Sequence, residues 1–352
     1  MRKIDSAVCR LLVVICIAWC CVDPPIVLSK SKTISESRPP AKNFTKVKVP
    51  FGYRLPPAHG HQFRSQEFNL DLFAEKFAQG MAVYAEIYRN PPAEDKKFEV
   101  KRFSFDGNDV LLSKRAWGYR ALFGINPETP AGMKKMQITY STGGSDRTET
   151  FALKISRTDY QLSVTALDLG KYSDVDYRPS PEEIEFINRC TAKKNKVFKV
   201  TGADLLGASF SHPRNRHFIT STFWSKRHVM QYRITNGKKI RLGDRLNIHK
   251  GIDLRGKSGD PVYSMADGMV VIAEPMYYEG NFIVIDHGNR IFSYFMHLNE
   301  LKVKEGDRVS AGDQIGRVGS TGLSTAAHLH VSVMMQDIYV DPLSLMALPV
   351  RN

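Results

Sequence analysis

At 352 residues, 42% hydrophobic and 24% charged, the chain is long enough for two packed cores. Its composition excludes a disordered or multi-spanning protein. The net charge is +14, of which +8 falls within residues 1–66. No basic-aromatic module or zinc-finger spacing accompanies that charge, which sets nucleic-acid recognition aside.

Arg2, Lys3 and Arg10 precede an uncharged run from Leu11 to Val22. Such a run covers about 18 Å as a helix, against about 30 Å of hydrocarbon core. Residues 1–29 therefore read as a signal peptide or a short membrane anchor, and the body as exported to the periplasm or cell envelope. Four of the five cysteines, Cys9, Cys16, Cys20 and Cys21, lie in this leader, which leaves Cys190 without an intrachain partner. An exported protein without disulfides rests on packed cores or a bound metal, which points toward a bacterial envelope.

Residues 30–66 form a basic, proline-rich linker, able to attract an anionic wall polymer or membrane surface through screened charge. His59 and His61 near its end read as a solvated loop. Residues 67–158 read as short strands (MAVYAEIY, KFEVKRFSF, KKMQITYST and ETFALKISR) separated by turn clusters, the spacing of a β-sandwich. Residues 159–211 form a connector with one helix: Ser180 is its N-cap, Pro181 takes the first helical position and Glu183 closes a capping box. Residues 212–347 return to strands as a second β domain, with a tight turn at His287-Gly288-Asn289. The fold expected is mainly β throughout.

Eight of the ten histidines follow position 211. In NIHKGIDLRG, extended alternation sets His249, Gly251 and Asp253 on one side and Ile248, Lys250, Ile252 and Leu254 on the other. In AAHLHVSV, His328 and His330 are two apart on a strand and point the same way. Hydrolytic zinc sites take three protein ligands from imidazole and carboxylate. His249, Asp253 and one of the two strand histidines supply that set, and parity does not choose between His328 and His330. His297 in SYFMHLNEL, read alone, is a core or turn histidine; beside a metal it becomes a candidate acid-base or oxyanion group.

HKGID, the FMHL segment, VKEGDRVSAGDQIGRVGSTG and HLH occur in the order seen in lysostaphin-like (LytM-type) zinc metallo-endopeptidases of the bacterial envelope, and the chain resembles that family over about residues 205–345. The preceding region, including GYRALFGINPETPAGMKKMQITY, resembles the immunoglobulin-like β-sandwich found before the peptidase in some of these enzymes. The resemblance implies an antiparallel-β metallopeptidase domain in which His249, Asp253 and His330 bind Zn2+. It implies that His297 and His328 flank the attacking water and the scissile carbonyl, with His328 as base and His297 as oxyanion partner. The implied substrate is the peptide of peptidoglycan, cut during wall remodelling or separation. Relatives with the same fold that act as non-catalytic scaffolds or activators generally lack part of the ligand set, and this sequence lacks none. Three departures from the family pattern, at Trp224, Phe295 and Ala326-Ala327, are expected to line the walls of the groove.

Overall fold

The computed structural model describes residues 31–34, 46–50, 53–90 and 98–351. The expected leader, with Cys9, Cys16, Cys20 and Cys21, and residues 30, 35–45 and 51–52 of the basic arm lie outside the described residues. The chain is mainly β, as its alternating sequences require, with antiparallel ladders throughout apart from one short parallel pair, Ser209–Ser211 with Lys46–Lys48.

Toward the N-terminus, two sheets face one another. One is six-stranded and is built around Phe68–Ala74, Ala82–Arg89 and Gly118–Gly124; the other is four-stranded and is built around Phe98–Phe105, Gly132–Thr142 and Ser145–Ile155. Both contribute to one apolar core that includes Phe68, Leu70, Val83, Phe103, Phe123, Ile138 and Phe151. The expected solvated loop at His59 and His61 is instead the strand His59–Arg64, paired with Phe68–Ala74. The His61 ring packs edge-on against Phe77, which pulls the segment onto the sheet.

The helix Pro181–Phe198 begins as its sequence dictates. Ser180 accepts from the Glu183 amide, and the Glu183 carboxylate accepts from the Ser180 amide. Its buried face carries Cys190, a free thiol, which packs with Ile272, Met276 and Phe282 of the C-terminal sheet.

That sheet runs in the order Ile219–Ser221, Ile252–Arg255, His328–Met335, Ile291–Leu298, Gly280–Asp286, Gly268–Met276 and Arg308–Val309, with Ile338–Val340 paired off His328–Met335. Alternation along His328–Met335 sends Leu329, Val331 and Val333 into the main core, which leaves His328, His330 and Ser332 on the opposite face. The core also takes Ala82, Tyr84 and Leu122 from the N-terminal sheets, so the two halves are packed together. Arg120, fully buried, holds them in register: its guanidinium donates in bidentate fashion to Asp204 and also to the Arg351 carbonyl. Buried guanidinium is tolerated when its fork is satisfied in this way.

Candidate metal centre

The site is assembled first by register. Asp253 lies directly opposite His330 in the antiparallel pair Ile252–Arg255 with His328–Met335, and Arg255 lies opposite His328. Directly opposed residues share a face at about 4.5–5.5 Å between Cβ atoms, so Asp253, His330 and His328 face one another without any loop. His249 arrives differently. The uninterrupted extended segment expected over residues 248–254 is broken: one strand ends at Ile248 and the next begins at Ile252. The chain bends at Gly251, where a Cβ would lie 2.2 Å from the Val331 carbonyl and 2.8 Å from His330 Nε2. Only glycine permits that approach, and it brings His249 beside Asp253.

His249 Nε2 lies 3.0 Å from Asp253 Oδ1 and 2.9 Å from His330 Nδ1, and His330 Nδ1 lies 2.9 Å from the same carboxylate oxygen. All three residues are buried. They form the one His/Cys/Asp/Glu group among the described residues whose ligand atoms converge as a metal site requires. Parity alone left His328 and His330 equivalent; the structure sets His330 in the triad and His328 Nε2 farther away, 3.6 Å from Asp253 Oδ1.

Hydrogen bonds fix the roles of the ring nitrogens. His249 Nδ1 donates to the Thr222 carbonyl at 3.0 Å, since a carbonyl can only accept. His328 Nδ1 donates to the Ala326 carbonyl at 2.7 Å, and His297 Nδ1 donates to the Thr321 carbonyl at 2.9 Å. Each of these bonds places a proton on Nδ1 and turns Nε2 away from the anchor. His330 is reversed, with Nε2 on Ser332 Oγ at 2.9 Å and Nδ1 in the triad. Burial pushes the His249 imidazole down to about 4, so it is neutral at pH 7. For Asp253, burial alone would raise the carboxyl, but its setting beside the His249 and His330 rings outweighs this and holds it well below the usual range. A lone pair on neutral His249 Nε2 thus faces an ionised carboxylate oxygen at hydrogen-bond distance with no proton between them. A cation resolves that repulsion, so the donor set fits a metal ion.

His297 reaches the site through strain. Its φ of +63° lies in the left-handed region and interrupts strand alternation. The core residues on either side are Phe295 and Leu298, three apart where regular alternation would space them by two. The His297 ring centroid lies 5.0 Å from His328 and 6.2 Å from His330. Burial, followed by the neighbouring His328 and His330, lowers its pKa to about 4.

Around these groups lies a cavity of about 450 Å³. Its walls include Arg227, Leu323 and Thr325, together with residues 161–169 of the connector, among them Leu162 and Leu167. Sequence reasoning missed Arg227, whose guanidinium donates to Asp253 Oδ2 at 2.5 Å and leaves Oδ1 to the triad. Two expected wall residues lie elsewhere. Phe295 is fully buried in the core opposite Val331. Trp224 adopts a φ of +55°, the conformation a glycine would take without strain, and packs against Phe223 and Tyr160. At the Ala326-Ala327 departure, the Ala326 carbonyl orients His328.

Residues 247–342 match the sequence model of peptidase family M23. The chain is 41% identical over 88 residues to peptidoglycan DD-endopeptidase ShyA of Vibrio cholerae, a match covering 25% of this chain and 20% of that protein. It is 35% identical over 142 residues to ShyB of the same organism, also named a peptidoglycan DD-endopeptidase, covering 39% and 32%. The crystallised catalytic domain of lysostaphin from Staphylococcus simulans is 34% identical, with 29% of this chain and 80% of that one covered and a TM-score of 0.28. The chain covers 20% to 38% of the length of the first curated relatives.

Proposed function

We propose that the protein is an exported, zinc-dependent endopeptidase that hydrolyses the peptide cross-links of peptidoglycan. The observation that carries this reading is the convergence of His249 Nε2, His330 Nδ1 and Asp253 Oδ1 on one point, with the acceptor state of His249 fixed by the Thr222 carbonyl. The wall substrate is supported by the names of the relatives, and the envelope location by those names and by the leader sequence.

His249, Asp253 and His330 would hold the ion. When bound, zinc supplies Lewis acidity and brings the pKa of water from 15.7 to about 7. The chain's own residues do the rest. Arg227 keeps Asp253 oriented by occupying its second oxygen. His328, with Nδ1 committed to the Ala326 carbonyl, presents Nε2 as the base that takes the proton of the attacking water and returns it to the leaving amine. His297 begins neutral; a proton taken up from solvent at Nε2 as negative charge builds would let it donate to the developing oxyanion, and that proton returns to solvent when the carbonyl re-forms.

Purified sacculi incubated with the zinc-loaded protein should release peptides with new amino termini. A chelator should stop the release and added zinc should restore it. Intact sacculi in the presence of protein carrying a full equivalent of zinc would overturn the reading and favour a non-catalytic scaffold.

A further inference from the structure

Immediately before His249 the chain forms an antiparallel hairpin, Lys226–Thr235 with Lys238–Ile248, whose role is not explained by the chemistry of the site. Its turn is the two-residue Asn236-Gly237, with φ of +50° and +72° as a tight hairpin of this kind requires. One strand is anchored: segments of residues 162–174 run parallel beside it, at Leu162 with Lys226, Leu167 with Val229 and Asp174 with Tyr232. The other strand is a free edge. Among the described residues Lys238–Ile248 pairs only with its hairpin mate, and every residue from Lys238 to Asn247 is exposed.

The composition of this edge is unusual for a solvated strand. Ile240, Leu242 and Leu246 on this edge, with Ile234 on its mate beside the turn, are 47% to 59% exposed, whereas long free edges are ordinarily kept polar. Seven basic side chains stand against a single acid, Asp244, in the two strands. Among the described residues Lys238 and Arg245 have no acidic partner. Arg233 and Lys239 are held by exposed pairs with Asp176 and Asp168, which are weak enough to exchange for other anions. Cross-strand register sets Arg233 opposite Ile240, and Ile234 opposite Lys239. Both faces of the tip therefore combine an aliphatic group with a cation.

We propose that this hairpin docks along its exposed outer strand on an anionic phospholipid bilayer. A soluble polyanion needs only the charges and leaves four aliphatic side chains in water. A second copy of the edge would bring like charges together. A bilayer satisfies both features: aliphatic groups enter the interface while lysine and arginine heads stay at the phosphates. The docked hairpin would set the histidine groove beside the membrane, since its second strand leads directly into His249. This inference does not depend on the proposed reaction.

The test is hydrogen exchange read by mass spectrometry on the full chain, with phosphatidylglycerol vesicles, phosphatidylcholine vesicles, polyglutamate or buffer. The account expects amides in residues 236–247 to slow on phosphatidylglycerol vesicles alone. The double variant Lys238→Glu/Arg245→Glu should return them to the rate in buffer, even where the leader still holds the protein on the vesicles, because each cation contributes about fivefold to partitioning. Ile240→Ser/Leu242→Ser should weaken the protection while leaving exchange in His328–Met335 unchanged, which reports an intact fold. Equal slowing by polyglutamate would identify a polyanion site and overturn the proposal. Equal slowing on phosphatidylcholine, slowing in buffer that grows with protein concentration, or no slowing in residues 236–247 would overturn it as well.

Discussion

The hairpin Lys226–Ile248 and the strand pair Ile252–Arg255 with His328–Met335 adjoin in sequence and are both antiparallel, yet they meet opposite fates. In the strand pair one face joins the main core, and the polar face is closed by hydrogen bonds that settle the tautomers of His249 and His328. In the hairpin, Val229 and Tyr232 are buried and the outer strand is exposed at nearly every position. The difference shows that alternation decides which residues share a face, while burial decides whether a face becomes a site. In the site, burial holds the His249 ring neutral and its bond to the Thr222 carbonyl fixes its orientation.

If the buried side is an organised site, the largest effect should come from its least replaceable group. His297→Ala should keep a full equivalent of zinc and lose about 10²- to 10⁴-fold in turnover of sacculi, while parent turnover in that variant would remove His297 from the reaction. Acid should next attack the same half of the molecule. His287 and His212 are fully buried, and burial pushes both down to about 4. A depressed histidine binds its proton more readily when unfolded, so stability is complete above about pH 6.5 and is lost as pH falls toward 4. The loss is up to about 3 kcal/mol for each ring. Denaturant midpoints measured across that window should slope accordingly, and His287→Gln should flatten the slope; an unchanged slope would contradict the assignment.

Gly251→Ala should cost about 1–3 kcal/mol by overpacking, because the new methyl meets the Val331 carbonyl and the His330 ring. Its thermal midpoint should fall together with zinc affinity. A wild-type midpoint would show that the bend has room to spare. The smallest effect belongs to the hairpin: Leu246→Ser, at an exposed position, should move stability by no more than about 0.5 kcal/mol. A larger loss would mean that the outer strand is packed against something in solution.

Much of this was legible because it depends on local chemistry. The capping box at Ser180 and Glu183 formed as read, and the strand runs around Ala82–Arg89 and Ile291–Leu298 fell where alternation put them. His328 and His330 share a face because strand parity leaves no choice. What was not legible depends on contacts distant in sequence. The break at His249–Gly251 follows from the approach of Val331, 80 residues later. The turn of His297 into the site requires a left-handed φ that no periodicity announces. Arg227 carried no motif at all and is defined by the carboxylate it meets. The hairpin itself could have been found, since Asn236-Gly237 between alternating strands is a direct signal. Phe295 was assigned to the groove wall by resemblance; regular alternation from Ile291 keeps it in the core, and the interruption at His297 parts the two.

The central claim is that His249, Asp253 and His330 together hold one zinc ion on which hydrolysis depends. Metal content measured on purified Asp253→Ala, alongside peptide release from sacculi by the same preparation, tests it most directly. The account predicts zinc falling from about one equivalent to nearly none, together with loss of peptide release, while the thermal midpoint still reports a folded chain. A full equivalent of zinc retained by folded Asp253→Ala would contradict it.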